Sequence, residues 1–150
     1  MTFKIYNNGI SAETQSSTDD ATEFLQDVAT YLAKEFGLEV PSAPYLKKGY
    51  VSQVDVECDV ALTTLNPKLT PFFQRLNEHV KTLDGIPRQF DLAAIQGWTE
   101  DVNQQMAPAM FRFERKLGSP FSSHQYFTQS ALETQEHIDL LNELVALLKT

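Results

Sequence analysis

The chain has 150 residues, 42% hydrophobic and 11% aromatic, with 12 basic and 20 acidic side chains for a net charge of −8. That length predicts one domain, with roughly 68–70% of the unfolded surface buried. The evenly spread acidity excludes sequence-independent binding to nucleic acid or an anionic membrane, which needs clustered Lys and Arg, and a lone cysteine excludes an intramolecular disulfide framework. The first residues lack the apolar run of a secretory signal, and no window reaches the roughly 18 apolar residues of a membrane span, so a cytoplasmic location is expected.

In chain order, residues 3–6 alternate and end at Asn7, Asn8 and Gly9, which predicts a short strand closed by a turn. Residues 11–17 read as a polar loop. A helix is predicted next, capped by Ser17 with Asp20 in the capping-box place. Ala21, Phe24, Leu25, Val28, Ala29, Leu32 and Phe36 form its apolar face. Asp19, Asp20, Glu23 and Asp27 crowd its first turns, where the helix dipole favours negative charge, and Gly37 stops it.

From Leu38 to Gly49 the chain reads as loop. The clearest pattern follows, in a strand predicted from Tyr50 to Thr63. Val54, Val56, Cys58, Val60 and Leu62 fall on even numbers and Asp55, Glu57 and Asp59 on odd ones. The three carboxylates therefore stand in a row on the wet face, about 6.6–6.8 Å apart. A second helix opens at Asn66 and Pro67, or at Thr70 and Pro71, on the stripe Leu65, Leu69, Phe72, Phe73, Leu76, Val80 and Leu83. A third is predicted from Leu92 to Met106, with Trp98 as a core anchor, although Gly97 weakens it by about 1 kcal/mol relative to Ala.

Met110–Leu117 reads as a strand and residues 118–129 as a loop. The last helix is predicted from Ser130 to Lys149, on Leu141, Leu144, Val145 and Leu148 and widened by Leu140 and Leu147. The expected class is α+β: a single domain over residues 1–150, with a small antiparallel or mixed sheet of about three to five strands packed by about four helices. Residues 38–50 and 119–128 each leave room for another strand.

Phosphate-binding loops, the nucleophile-elbow motif and metal-spaced His or Cys pairs are absent from the sequence, and no cofactor is expected. The acidic row has three readings: a solvated face, a divalent-cation site completed by Glu114, or a face for a cationic partner. His79 and His137 read as half-buried helix residues. His124 stands in a loop beside Ser122 and Ser123, where a serine nucleophile would still need an orienting acid and an oxyanion hole. Cys58 reads as a buried apolar side chain.

The first functional expectation is a non-enzymatic interaction domain that binds a protein with a basic surface and blocks or recruits it. Asp55, Glu57 and Asp59, with Asp19, Asp20, Glu23 and Asp27, would steer that partner, and loop aromatics Tyr45, Tyr50, Phe121 and Tyr126 would anchor it. Small acidic inhibitors and immunity proteins share this size and charge class, a likeness of class and not of motif. The alternatives are a small-molecule-binding domain or small hydrolase using His124 and Tyr126, and a subunit of a phage or secretion-type assembly docking through its last helix. A homo-oligomer fits any of them.

Overall fold

A hairpin opens the chain. In this computed structural model, which describes residues 1–38, 47–100 and 107–149, strand β1 (Thr2–Tyr6) turns at Asn7 and Asn8 into β2 (Gly9–Glu13). β2 takes the first three residues of the loop expected over residues 11–17. Ile10 is its one large apolar residue, too little for a period-two signal, and pairing supplies what the pattern lacks: Phe3 opposes Ala12 and Ile5 opposes Ile10.

Helix α1 (Thr18–Phe36) forms where its caps place it. Ser17 Oγ accepts the Asp20 N–H at 3.3 Å. Gly37 closes the helix in left-handed backbone, φ 63°, and donates its N–H to the Ala33 carbonyl. Phe24 meets Phe3 edge-on with ring centroids 5.7 Å apart, so the helix lays its apolar face on the hairpin.

The larger sheet is antiparallel and holds, side by side, β3 (Ser52–Glu57), β6 (Gln125–Ser130), β5 (Phe111–Arg115) and β4 (Ala94–Gly97). β3 is shorter than expected, because Cys58 leaves the ladder and Leu62–Leu65 wind into a 3-10 turn. β4 stands where the third helix was predicted, and residues 101–106 of that prediction lie outside the described residues. Leu92, Ile95 and Trp98 mimic a helical period, yet Ile95 pairs with Phe113 at the sheet edge and Trp98 is left 68% exposed. β6 fills the second of the two stretches with room for a strand. Of the first, residues 39–46 lie outside the described residues and 47–50 form no strand.

α2 (Thr70–Asp84) takes the later of its two predicted starts, behind a 3-10 turn at Pro67–Leu69. α3 (Thr134–Leu148) begins later than Ser130, which is the last residue of β6. Among the described residues this makes an α+β fold of two antiparallel sheets and three α-helices, one helix fewer than expected.

One face of the larger sheet carries Val54, Thr128, Phe113 and Ile95 in register across all four strands, with Val56, Tyr126 and Arg115 in the next row. Leu141, Leu144, Val145 and Leu148 of α3 pack against it, and the buried core is Cys58, Leu62, Phe113, Tyr126, Leu141 and Leu148. Phe113 and Tyr126 stack with centroids 4.7 Å apart. The opposite face presents Gln53, Asp55 and Glu57 of β3, with Gln125, Phe127 and Gln129 beside them.

His137 is fully buried rather than half-buried, because α3 turns it onto the sheet. Its Nε2 lies 2.8 Å from Thr128 Oγ1 and its Nδ1 3.0 Å from Ser52 Oγ, so one ring nitrogen donates and the other accepts. α1 joins the same end of α3. The Thr18 N–H donates to Thr134 Oγ1 at 3.0 Å and the Thr134 N–H to Thr18 Oγ1 at 2.8 Å, so each helix start satisfies the other.

Coverage elsewhere is thin. No α1 residue is buried, and Phe72 and Leu83 of α2 are 59% and 82% exposed.

Burial holds the His137 pKa below its ordinary 6.5. The unfolded chain therefore takes up this proton before the folded one does. Urea unfolding should give a stability that is level in this respect above about pH 6.5 and falls as pH drops below it. His137→Ala should cost about 2–4 kcal/mol and remove that dependence, and a variant with an unchanged slope would transfer the effect to other groups.

Candidate functional site

The two sets of predicted acids fare differently. Asp19, Asp20, Glu23 and Asp27 all lie on the side of α1 turned away from Ala21, Phe24, Leu25 and Val28, and all four are exposed. None is ion-paired among the described residues. The helix positions them rigidly, and two of them, Asp19 and Asp20, lie in the first turn where the dipole stabilises them. Tyr31 shares this solvent side, and it meets Phe36 edge-on at 6.1 Å.

On β3, Asp55 and Glu57 do project from the open face, while Asp59 lies past the end of the strand. The row is partly neutralised, since Lys116 reaches across β6 to ion-pair with Asp55. The basic strand β5 is thus not the immediate neighbour of the row, and a single lysine makes the contact. Glu114, which would have completed a cation site, pairs instead with Arg112 on its own strand at 3.3 Å. No group of three metal-ligating side chains forms among the described residues.

A shallow cleft of about 250 Å³ opens at the end of the sheet, between the β5–β6 connection and the segment that precedes β4. Gln89, Asp91, Arg115, Phe121, Ser122 and His124 line it, with Tyr126 at its floor. Arg115 organises the connection: Nη1 donates to the Phe121 carbonyl at 3.0 Å, Nη2 to that of Ser119 at 3.1 Å, and its guanidinium lies 3.9 Å over the Phe121 ring. Tyr126 is buried, not a surface anchor, because alternation along β6 turns it inward. Its hydroxyl donates to the Val60 carbonyl at 3.1 Å, and burial pushes the phenol pKa up.

His124 carries the tension of this cleft. It is the one non-glycine residue with positive φ among the described residues, at 47°. Its carbonyl accepts the Cys58 N–H at 3.2 Å, which fixes the start of β6 against the end of β3. Its Nδ1 is sealed from solvent without a hydrogen-bond partner. Neither neighbouring serine pairs with it: the Ser123 hydroxyl donates to the Pro120 carbonyl at 2.8 Å, and Ser122 is exposed. The serine–histidine pair weighed from the sequence is not assembled. The cleft is also below the roughly 300–1,000 Å³ of typical small-molecule pockets.

Of the loop aromatics, Tyr45 lies outside the described residues and Phe121 is the cation–π partner of Arg115. Tyr50 is half-buried, with its hydroxyl held by Glu133, which raises its pKa, and near Thr22. Sequence reasoning missed the parts played by Arg115 and Val60. In the sequence Arg115 is one of three cations at residues 112–116 with nothing to set it apart, and nothing in the local pattern marks Val60. No helix among the described residues is long and apolar enough to cross a membrane. Comparison with known proteins gave no matching family model, no significantly similar curated sequence and no significantly similar solved structure.

A histidine in left-handed backbone is strained by roughly 1–2 kcal/mol, and its unbonded buried nitrogen adds a desolvation cost. His124→Gly should therefore stabilise the fold by about 0.5–1 kcal/mol, a rise of roughly 1–4 °C in melting temperature. A loss of stability on that substitution would instead make His124 a structural residue.

Proposed function

We propose that this protein is a non-enzymatic interaction domain whose acidic α1 face receives a protein with a basic surface, blocking or recruiting it. The observation that carries this reading is the unpaired state of Asp19, Asp20, Glu23 and Asp27, four exposed carboxylates on one side of a capped helix. Asp19 and Asp20 also serve the helix start through its dipole, but Glu23 and Asp27 lie beyond the first turn and meet no cation among the described residues, whereas Asp55 finds Lys116 and Glu114 finds Arg112. A net charge of −8 extends the field beyond the contact and favours encounter with a cationic protein. Tyr31 and Phe36 supply aromatic surface at the end of the acidic strip. Glu57 and Asp59, exposed and unpaired among the described residues, form a secondary acidic patch.

A second reading, a small-molecule site at the cleft, has the strained His124 and its orphaned nitrogen in its favour. The committed hydrogen bonds of Arg115 and Tyr126 weigh against it, since both groups already serve the fold. Docking through the last helix, as in the assembly-subunit reading, is left with Leu140 and Leu147, because the rest of that helix's apolar face lies on the sheet.

Capture from host lysate, followed by kinetics with the captured protein, tests the first reading. The wild type should hold a stoichiometric basic protein whose association rate falls roughly tenfold or more from low to high salt. Asp19→Asn/Asp20→Asn/Glu23→Gln/Asp27→Asn should lose that protein, and Asp55→Asn should retain it. Equal retention by the quadruple variant at high salt would sink the acidic-face reading.

A further inference from the structure

We infer that the outer edge of β3 takes up a further strand, an extended segment of the basic partner in which cationic and apolar residues alternate. The inference rests on the partner proposed above and adds the form in which that partner is held. β3 is an outer strand of the larger sheet, with β6 on one side only. The Cys58 N–H donates to the His124 carbonyl, and this pair continues the register in which Val56 opposes Tyr126 and Val54 opposes Thr128. Even-numbered residues therefore turn their backbone groups toward β6, and Gln53, Asp55 and Glu57 turn theirs outward. Among the described residues, none of these outward N–H and C=O groups meets another backbone group.

The edge is open to pairing along its length. The six residues of β3 run without a bulge or a proline, whereas the other outer strand, β4, has four residues and ends in Gly97. Its side chains specify the chemistry of an added strand. Gln53, Asp55 and Glu57 are exposed on the open face, so a residue paired with Asp55 or Glu57 stands directly opposite a carboxylate. Lys116 shows that a cationic side chain is received there, since it crosses β6 to Asp55, and Glu57 is unpaired among the described residues. A depression of about 160 Å³, lined in part by Asp55, Glu57 and Gln125, leaves room for the end of a long side chain. On the other face Val54 and Val56 pack against the core, so the intervening residues of the added strand extend an apolar layer.

Charge also decides against a second copy of this chain. Two β3 edges paired antiparallel about Asp55 would set that carboxylate against its own counterpart, and like charges directly opposite destabilise a sheet. The start of the edge lies near the acidic helix. Tyr50, just ahead of β3, has its hydroxyl held by Glu133, which raises its pKa, and Asp19 of α1 adds to the rise. A segment that runs along β3 and past Ser52 thus comes to the first turn of α1.

Amide hydrogen exchange of the wild-type protein, read residue by residue with a short capped peptide of alternating arginine and valine as the probe, tests the inference. At saturating peptide the Gln53, Asp55 and Glu57 amides should exchange roughly tenfold or more slowly, while Val54 and Val56, already bonded to β6, change little. The same peptide methylated on its arginine backbone nitrogens, which face β3 when arginine opposes Asp55 and Glu57, should not bind. Methylation of the valine nitrogens, which face solvent, should be tolerated. A peptide of alternating glutamate and valine should leave the exchange unchanged.

No slowing at these three amides, equal slowing at Val54 and Val56, binding that survives methylation of the arginine nitrogens, or equal binding by the glutamate peptide would each overturn the inference. A captured basic protein that depends on the four α1 acids yet leaves the β3 amides unprotected would overturn it while leaving the proposed function standing. Peptide-protected β3 amides in a protein that captures no basic partner would sustain the edge and overturn the α1 reading.

Discussion

The bonds from His137 to Ser52 and Thr128 are the constraint on which the rest of the molecule depends. They join α3 to β3 and β6 across the middle of the core, where no water can substitute. Each of the three side chains would be an unsatisfied polar group if α3 slid or the strands slipped register. Apolar packing by Leu141 and Leu148 drives α3 onto the sheet but tolerates small displacements, whereas the imidazole has two partners at fixed distances. The hub therefore selects one docking of helix on sheet from the many that hydrophobic burial would allow.

Consequences run outward from that docking. With β6 fixed beside β3, alternation sends Tyr126 inward onto Phe113 and places its hydroxyl at the Val60 carbonyl. Cys58 Sγ reaches the same carbonyl at 3.4 Å, so the chain leaving β3 is held where it turns toward Leu62. The N-terminal unit is tied on by the Thr18–Thr134 exchange and by Tyr50 at Glu133. Charge and apolar surface are left in separate places, acids on α1 and an uncovered apolar stripe on α2.

Legibility from the sequence followed the range of the interactions. Helix α1 was readable to the residue at both ends, because Ser17, Asp20 and Gly37 act within one turn of backbone. The outward placement of its four acids followed from the helical period, and the exposure of Asp55 and Glu57 from the two-residue alternation of β3. Strands β2, β4 and β6 were not assigned. Each is short and mixed in polarity, and its identity comes from a partner strand rather than from its own pattern. Leu92, Ile95 and Trp98 show the hazard, since a spacing of three suits a helix and says nothing about an available sheet edge. His137 and Tyr126 were misplaced for a related reason: polar atoms lower the expectation of burial until their partners are known.

By itself, then, the sequence determined what local chemistry and charge determine. It specified an α+β chain without a disulfide framework, the capped α1 with its acidic face, the amphipathic α2 and α3, and the alternation of β3. Only the tertiary structure decided that Lys116 reaches Asp55, that Arg115 serves the loop before β6, that His137 lies in the core, and that α2 keeps a stripe uncovered. These facts depend on pairs such as Lys116 with Asp55 and Ser52 with His137, 61 and 85 residues apart. No periodicity encodes such distances, and the competition among alternative partners is resolved only when the whole chain packs at once.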